Sequence, residues 1–168
     1  MAKVIMLIGV PGSGKTTFAH NLSLEKGYKV ISSDVIRQTF PGIKENNVFP
    51  TVYEMCVNEL RNGRDIILDA TNITPKVRKR AWDALDAFGV KYDKVAYYFI
   101  TDPNKCMERV AIRNTLPNER YLPVEVIKGY GEKIIAPAIE EGFKEIIVID
   151  NNKHDENYQN KVDFELVK

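Results

Sequence analysis

Gly9-Val10-Pro11-Gly12-Ser13-Gly14-Lys15-Thr16 sets glycines, a lysine and a hydroxyl in the spacing G-x-x-x-x-G-K-[ST]. Glycine turns let successive backbone N–H groups point inward at an anion, and a helix beginning there adds partial positive charge. With a nucleoside triphosphate in that cradle, Lys15 reaches the β- and γ-phosphates and the Thr16 hydroxyl holds Mg²⁺. Gly9, Pro11, Gly12, Ser13, Gly14, Lys15, Thr16 and Thr17 are therefore the candidate ATP-binding residues, with Thr16 as the metal contact. A bare glycine-rich turn has the same composition, but here the motif follows an apolar strand and precedes a helix, as phosphate binding requires.

Three further groups bear on where a phosphoryl group would go. Ser32-Ser33-Asp34-x-x-Arg37 puts an acid and a cation three residues apart, on one side of any helix that starts there. A hydroxyl acceptor needs a carboxylate to orient or take its proton, and an anionic acceptor needs a cation; the plainer reading is a helix cap paired with Arg37. Asp69-Ala70-Thr71-Asn72 closes an apolar strand with polar groups, which turn chemistry alone would also explain. Arg109 and Arg113 stand one helical turn apart and Arg120 follows in the next loop. Such arginines can neutralise charge during transfer, although a solvated helix face explains Arg109 better.

The elements that must position these groups follow from periodicity. Val4–Ile8, Lys29–Ile31, Asp65–Leu68, Val95–Ile100 and Glu145–Ile149 are short apolar runs that read as strands buried on both faces. Helix-length amphipathic stretches alternate with them at 15–25, 51–61, 75–88, 103–114 and 123–135. This order predicts a doubly wound parallel α/β sheet with right-handed crossovers, and the strand ends there crown one edge. The 168 residues predict a single domain with no room for a second module, and 44% hydrophobic with 28% charged residues excludes disorder. A net charge of +1 excludes a protein held to nucleic acid by bulk charge. Cys56 and Cys106 form no disulfide or zinc pattern, and no targeting or membrane-spanning segment is readable, so a cytoplasmic, membrane-free protein is expected.

Other motifs carry less. Asn152-Lys153-His154-Asp155 spells N-K-x-D, but its companion Asp86-Ala87-Phe88-Gly89 closes a helix rather than a strand, which argues against a GTPase switch. Ile66-Ile67-Leu68-Asp69 ends an apolar strand in an acid and leaves a mechanical ATPase open, although that would normally need more chain; a nucleotide-binding switch for a partner protein is the non-catalytic alternative. Trp82 fits a core stripe; His20, His154 and Tyr97-Tyr98-Phe99 need no ligand. The run Lys76-Val77-Arg78-Lys79-Arg80 is either a solvated helix face or a path for a polyanion.

Taken in order, the phosphate cradle, S-S-D-x-x-R, D-A-T-N, and Arg113-Asn114 with the later Leu122-Pro123 resemble the kinase domain of the polynucleotide 5′-hydroxyl kinases, over most of residues 3–135. The resemblance implies a P-loop NTPase three-layer sandwich with a helical lid at about 103–135, followed by a polar loop and tail at 151–168. It implies ATP and Mg²⁺, transfer to the 5′-OH of a nucleic acid, and a role in nucleic acid repair. Asp34 would be the general base, Arg37 would bind the acceptor's neighbouring phosphate, and Asp69 would support the site. Arg113 or Arg120 would touch the donor phosphates; the lid sequence Thr115–Arg120 lacks the extra basic residues of the family, which leaves that choice open. Zeta-toxin-like, antibiotic and sugar kinases share the cradle and the acid after the second strand, so a small-molecule acceptor is the alternative.

Overall fold

The computed structural model describes residues 1–117 and 121–150, together with the backbone of Glu165–Val167. Five parallel strands stand in the order β2 (Lys29–Ser32), β3 (Ile66–Asp69), β1 (Lys3–Ile8), β4 (Asp93–Ile100), β5 (Glu145–Asp150). A short strand, β6 (Glu165–Val167), adds antiparallel to β5. The tail carried no readable strand pattern, so this pairing is new, and the sheet is mixed rather than wholly parallel. The helices are α1 (Lys15–Lys26), α2 (Ser33–Thr39), α3 (Glu45–Arg61), α4 (Pro75–Ala87), α5 (Pro103–Arg113) and α6 (Val124–Lys133).

The continuous apolar run of β1 is explained by its two neighbours. Val4, Met6 and Ile8 pack with Val52, Cys56 and Leu60 of α3 and Ala81, Trp82 and Leu85 of α4. Ile5 and Leu7 point the other way, to Ala19, Phe18 and Leu22 of α1 and to Phe99. Three layers result, with β1 buried on both faces. Trp82 is core, as its stripe predicted, and packs its ring on Tyr92 at 5.8 Å.

Local signals set most of the helix ends. Thr74 Oγ1 accepts from Val77 N–H at 3.2 Å ahead of Pro75, and Gly89, at φ +75°, ends that segment. One boundary differs from expectation: α3 begins six residues before Thr51 and runs through Pro50. The proline ring removes one helical N–H, but Val48 and Val52 are fully buried on either side of it, and that burial outweighs the local penalty. Helices α5 and α6 form a separate cluster in which Cys106, Val110 and Ile127 pack on Val10 of the glycine-rich loop. Among the described residues no helix is long and apolar enough to cross a membrane.

Candidate active site

The carboxyl ends of β1, β2 and β3 lie side by side. Ser32 is in register with Asp69, and Leu68 with Met6. The glycine-rich loop, Asp34 and Asp69 therefore crown one edge, as the strand order requires.

The loop is held from several directions. Gly12 and Gly14 adopt φ of +83° and +95°. Gly12 is also a packing position, since a Cβ there would lie 2.5 Å from the carbonyl oxygen of Cys106 in α5. Arg109 Nη1 donates to Gly12 O at 2.9 Å, and Thr101 Oγ1 donates to Ser13 O at 3.1 Å. From the β3 side, Gly9 N–H donates to Thr71 O at 3.1 Å, while Asn72 Nδ2 donates to Leu7 O at 2.8 Å. Asn72 is buried and left-handed, with φ +48°. The D-A-T-N turn is thus a strap that ties β3 to the start of the phosphate cradle.

Arg78 anchors that strap. It is wholly buried, and its Nη1 donates to Asn72 O at 2.8 Å and Ile135 O at 3.1 Å. Its Nε and Nη2 take both oxygens of Glu141 at 2.7 and 3.0 Å. Burial alone would push the Glu141 carboxyl up, but the bonds and charge of Arg78 and the Ala138 N–H hold it below the ordinary value. This removes Arg78 from any basic path for a polyanion. Lys79 pairs with Asp83 at 2.7 Å on the surface, and Lys76, Lys79 and Arg80 stay exposed, so three of the four cations of the run face outward rather than four. The periodicity explains why: Arg78 shares a helical face with Ala81, Trp82 and Leu85.

At the mouth of the site, Thr16 Oγ1 donates to Asp69 Oδ2 at 2.9 Å. Burial raises the Asp69 carboxyl above its ordinary value, although Lys15, the Thr16 hydroxyl and Arg113 pull the other way and Asp34 adds to the rise. Asp34 does not cap α2. Ser32 does, accepting from Val35 N–H at 3.3 Å, and Asp34 sits in the first turn bound to Arg37 Nη1 at 2.9 Å. Arg37 also places Nε and Nη2 on the two oxygens of Glu45, a partner that no spacing signal announces because it begins another helix.

Two cavities meet over these groups. One, of about 300 Å³, is bordered by Asp34, Arg37, Glu45, Asp69, Phe49 and Tyr130. The other, of about 410 Å³, is bordered by Gly12, Gly14, Thr17, His20, Arg109 and Gln38. Lys15, Thr16, Ser32, Asp34 and Arg113 line both. Among the described residues Arg113 Nε is buried with no hydrogen-bond partner, and Arg113 borders both cavities. Arg109 departs from the solvated face expected of it: it is buried, on the same stripe as Cys106 and Val110, and serves the loop carbonyl. Arg120 and the N-K-x-D loop with His154 lie outside the described residues.

The bifunctional polynucleotide phosphatase/kinase of Schizosaccharomyces pombe is 23% identical over 154 residues, covering 86% of this chain and 32% of that protein. The chain thus spans about a third of the length of the curated relatives it matches. A crystal structure of a fungal RNA kinase superposes with a TM-score of 0.68 at 17% identity, over 97% of this chain and 80% of that one. A sugar kinase from Janibacter superposes with a TM-score of 0.64 at 17% identity, over 89% and 86%. These solved structures share the fold. Residues 4–137, from the first strand through the cradle, the Asp34 and Asp69 turns and the α5–α6 pair, match the model of the AAA domain family, and the chain belongs to that family.

Proposed function

We propose that this chain is a kinase that moves the γ-phosphoryl of ATP, with Mg²⁺, to a hydroxyl, and that the acceptor is the 5′-OH of a nucleic acid. The observation that carries the reading is the shared wall: Asp34 lines both cavities together with Lys15, Thr16 and Arg113. A carboxylate at that junction faces an acceptor on one side and a triphosphate on the other.

The larger cavity includes the cradle glycines and is the donor side; the one with Arg37 and Asp69 is the acceptor side. Asp34 would orient the hydroxyl and take its proton, and Arg37 would fix a neighbouring phosphate. Lys15 and Arg113 would stabilise charge on the transferring group. The Thr16 hydroxyl and the Asp69 carboxylate offer paired hard oxygens, 2.9 Å apart, suited to Mg²⁺. When bound, the ion would supply neutralisation of the β- and γ-phosphate oxygens. Phe49 and Tyr130 border the acceptor side and offer faces on which a base can stack. A nucleic acid acceptor is further supported by the order of the motifs and by the kinase activity named for the yeast relative.

A small-molecule acceptor is the second reading, favoured by the modest size of the acceptor cavity and the fold shared with a sugar kinase. The test offers γ-labelled ATP with a 5′-OH oligonucleotide, a nucleoside, sugars and aminoglycosides. Label on the oligonucleotide 5′ end is expected. Label on a sugar alone would replace the acceptor, and free phosphate with no labelled acceptor would replace the kinase by a switch.

A further inference from the structure

Arg37 is the cation that an acceptor phosphate would meet, and its fork is already occupied. Asp34 takes Nη1 at 2.9 Å, and the Glu45 carboxylate takes Nε at 3.2 Å and also Nη2, side-on. That side-on fork is how a guanidinium holds a carboxylate or a phosphate. The Glu45 bonds, with its charge, are also among the causes that hold the Arg37 guanidinium above its ordinary pKa.

The two carboxylates are not equivalent. Asp34 sits on the same helix as Arg37 and lines both cavities. Glu45 opens the next helix, its side chain is 68% exposed, and it borders only the acceptor cavity. The short link 40–44 between them includes Gly42, around which a Cβ would meet nothing within 4 Å. An arriving anion can therefore displace the outer carboxylate and leave the inner one in place.

We propose that Glu45 is a specificity-determining residue, a built-in carboxylate that occupies the Arg37 fork until the acceptor's phosphate displaces it. The proposal rests on the polynucleotide reading above. Glu45 gives the acceptor side a negative rim, which weakens anionic acceptors in general and admits those whose phosphate reaches the fork in register. Without its charge, phosphate-bearing acceptors bind more tightly, and acceptors with no phosphate gain nothing.

The test compares wild type with Glu45→Gln and Glu45→Asp, using a 5′-OH dinucleotide with an internal phosphate and the matching nucleoside. For Glu45→Gln the KM for the dinucleotide is expected to fall by about three- to five-fold, the scale of a partly exposed ion pair. Its kcat and the nucleoside KM should stay within error, and Glu45→Asp should return the dinucleotide KM toward wild type. If Glu45 instead merely props Arg37 in place, the Gln variant raises the dinucleotide KM, which overturns the proposal. An unchanged KM overturns it as well and leaves the kinase reading standing. Absence of label on either acceptor with wild type overturns both.

Discussion

Replacing Gly12 by alanine separates two reasons for a glycine in the cradle. If Gly12 served only to bring backbone N–H groups near a phosphate, the substitution would cost only the strain of its left-handed backbone until nucleotide arrived. The structure gives it a second duty, because the added Cβ would lie 2.5 Å from the Cys106 carbonyl, a backbone atom that cannot swing aside. Alanine at φ +83° costs about 1–2 kcal/mol, and forcing α5 outward adds about 1–3 kcal/mol of overpacking. The sum is about 3 kcal/mol, which in a domain of this size lowers Tm by about 6–12 °C. Gly27→Ala is the internal control: φ is +75° and nothing lies within 4 Å, so only the backbone strain remains, about 2–8 °C. The gain from stiffening the unfolded chain is common to both variants and cancels. Thermal melts without nucleotide measure the difference directly. Equal losses in the two variants would refute the seating of α5 on the loop.

Two other perturbations follow from buried charge. Because burial raises the Asp69 carboxyl, the folded chain holds that proton more tightly than the unfolded one. Stability is therefore lost as pH rises from about 3.8 through the folded value. Asp69→Asn should be more stable than wild type at pH 7 in urea titrations, with the gap closing toward pH 4, while turnover falls; a less stable variant at pH 7 would contradict this. Arg78→Met should cost about 3–5 kcal/mol, since it strands Glu141 and the carbonyls of Asn72 and Ile135, and Arg78→Met with Glu141→Leu should recover much of that. Glu141 is held low, so its contribution is present above about pH 4.5 and disappears as pH falls through its folded value; a flat acid profile for the wild type would argue against it.

What the sequence makes legible is what depends on local order. The G-x-x-x-x-G-K-[ST] string, the apolar runs and the capped helix starts each report on neighbours along the chain, and the five parallel strands lie where those signals put them. That Asp34 and Asp69 share one edge was readable because a parallel sheet places successive strand ends together. What was not legible depends on encounters across the fold. Glu45 meets Arg37 from another helix, and Arg109 reaches back 97 positions to the Gly12 carbonyl. Arg78 resembled its basic neighbours until its partners at 72, 135 and 141 closed around it. The first six residues of α3 went unread because the local penalty of Pro50 is visible in sequence and the burial of Val48 and Val52 is not.

The Asp34 carboxylate stands between the two cavities, and the proposed transfer depends on it. Asp34→Asn keeps the shape of the side chain and leaves Arg37 gripped by Glu45, so geometry is conserved while the base is lost. Single-turnover transfer of labelled phosphate to a 5′-OH oligonucleotide, measured beside ATP affinity, should fall by about 10²–10⁴ with ATP binding unchanged. Transfer at the wild-type rate would contradict the assignment of Asp34 as the group that receives the acceptor's proton.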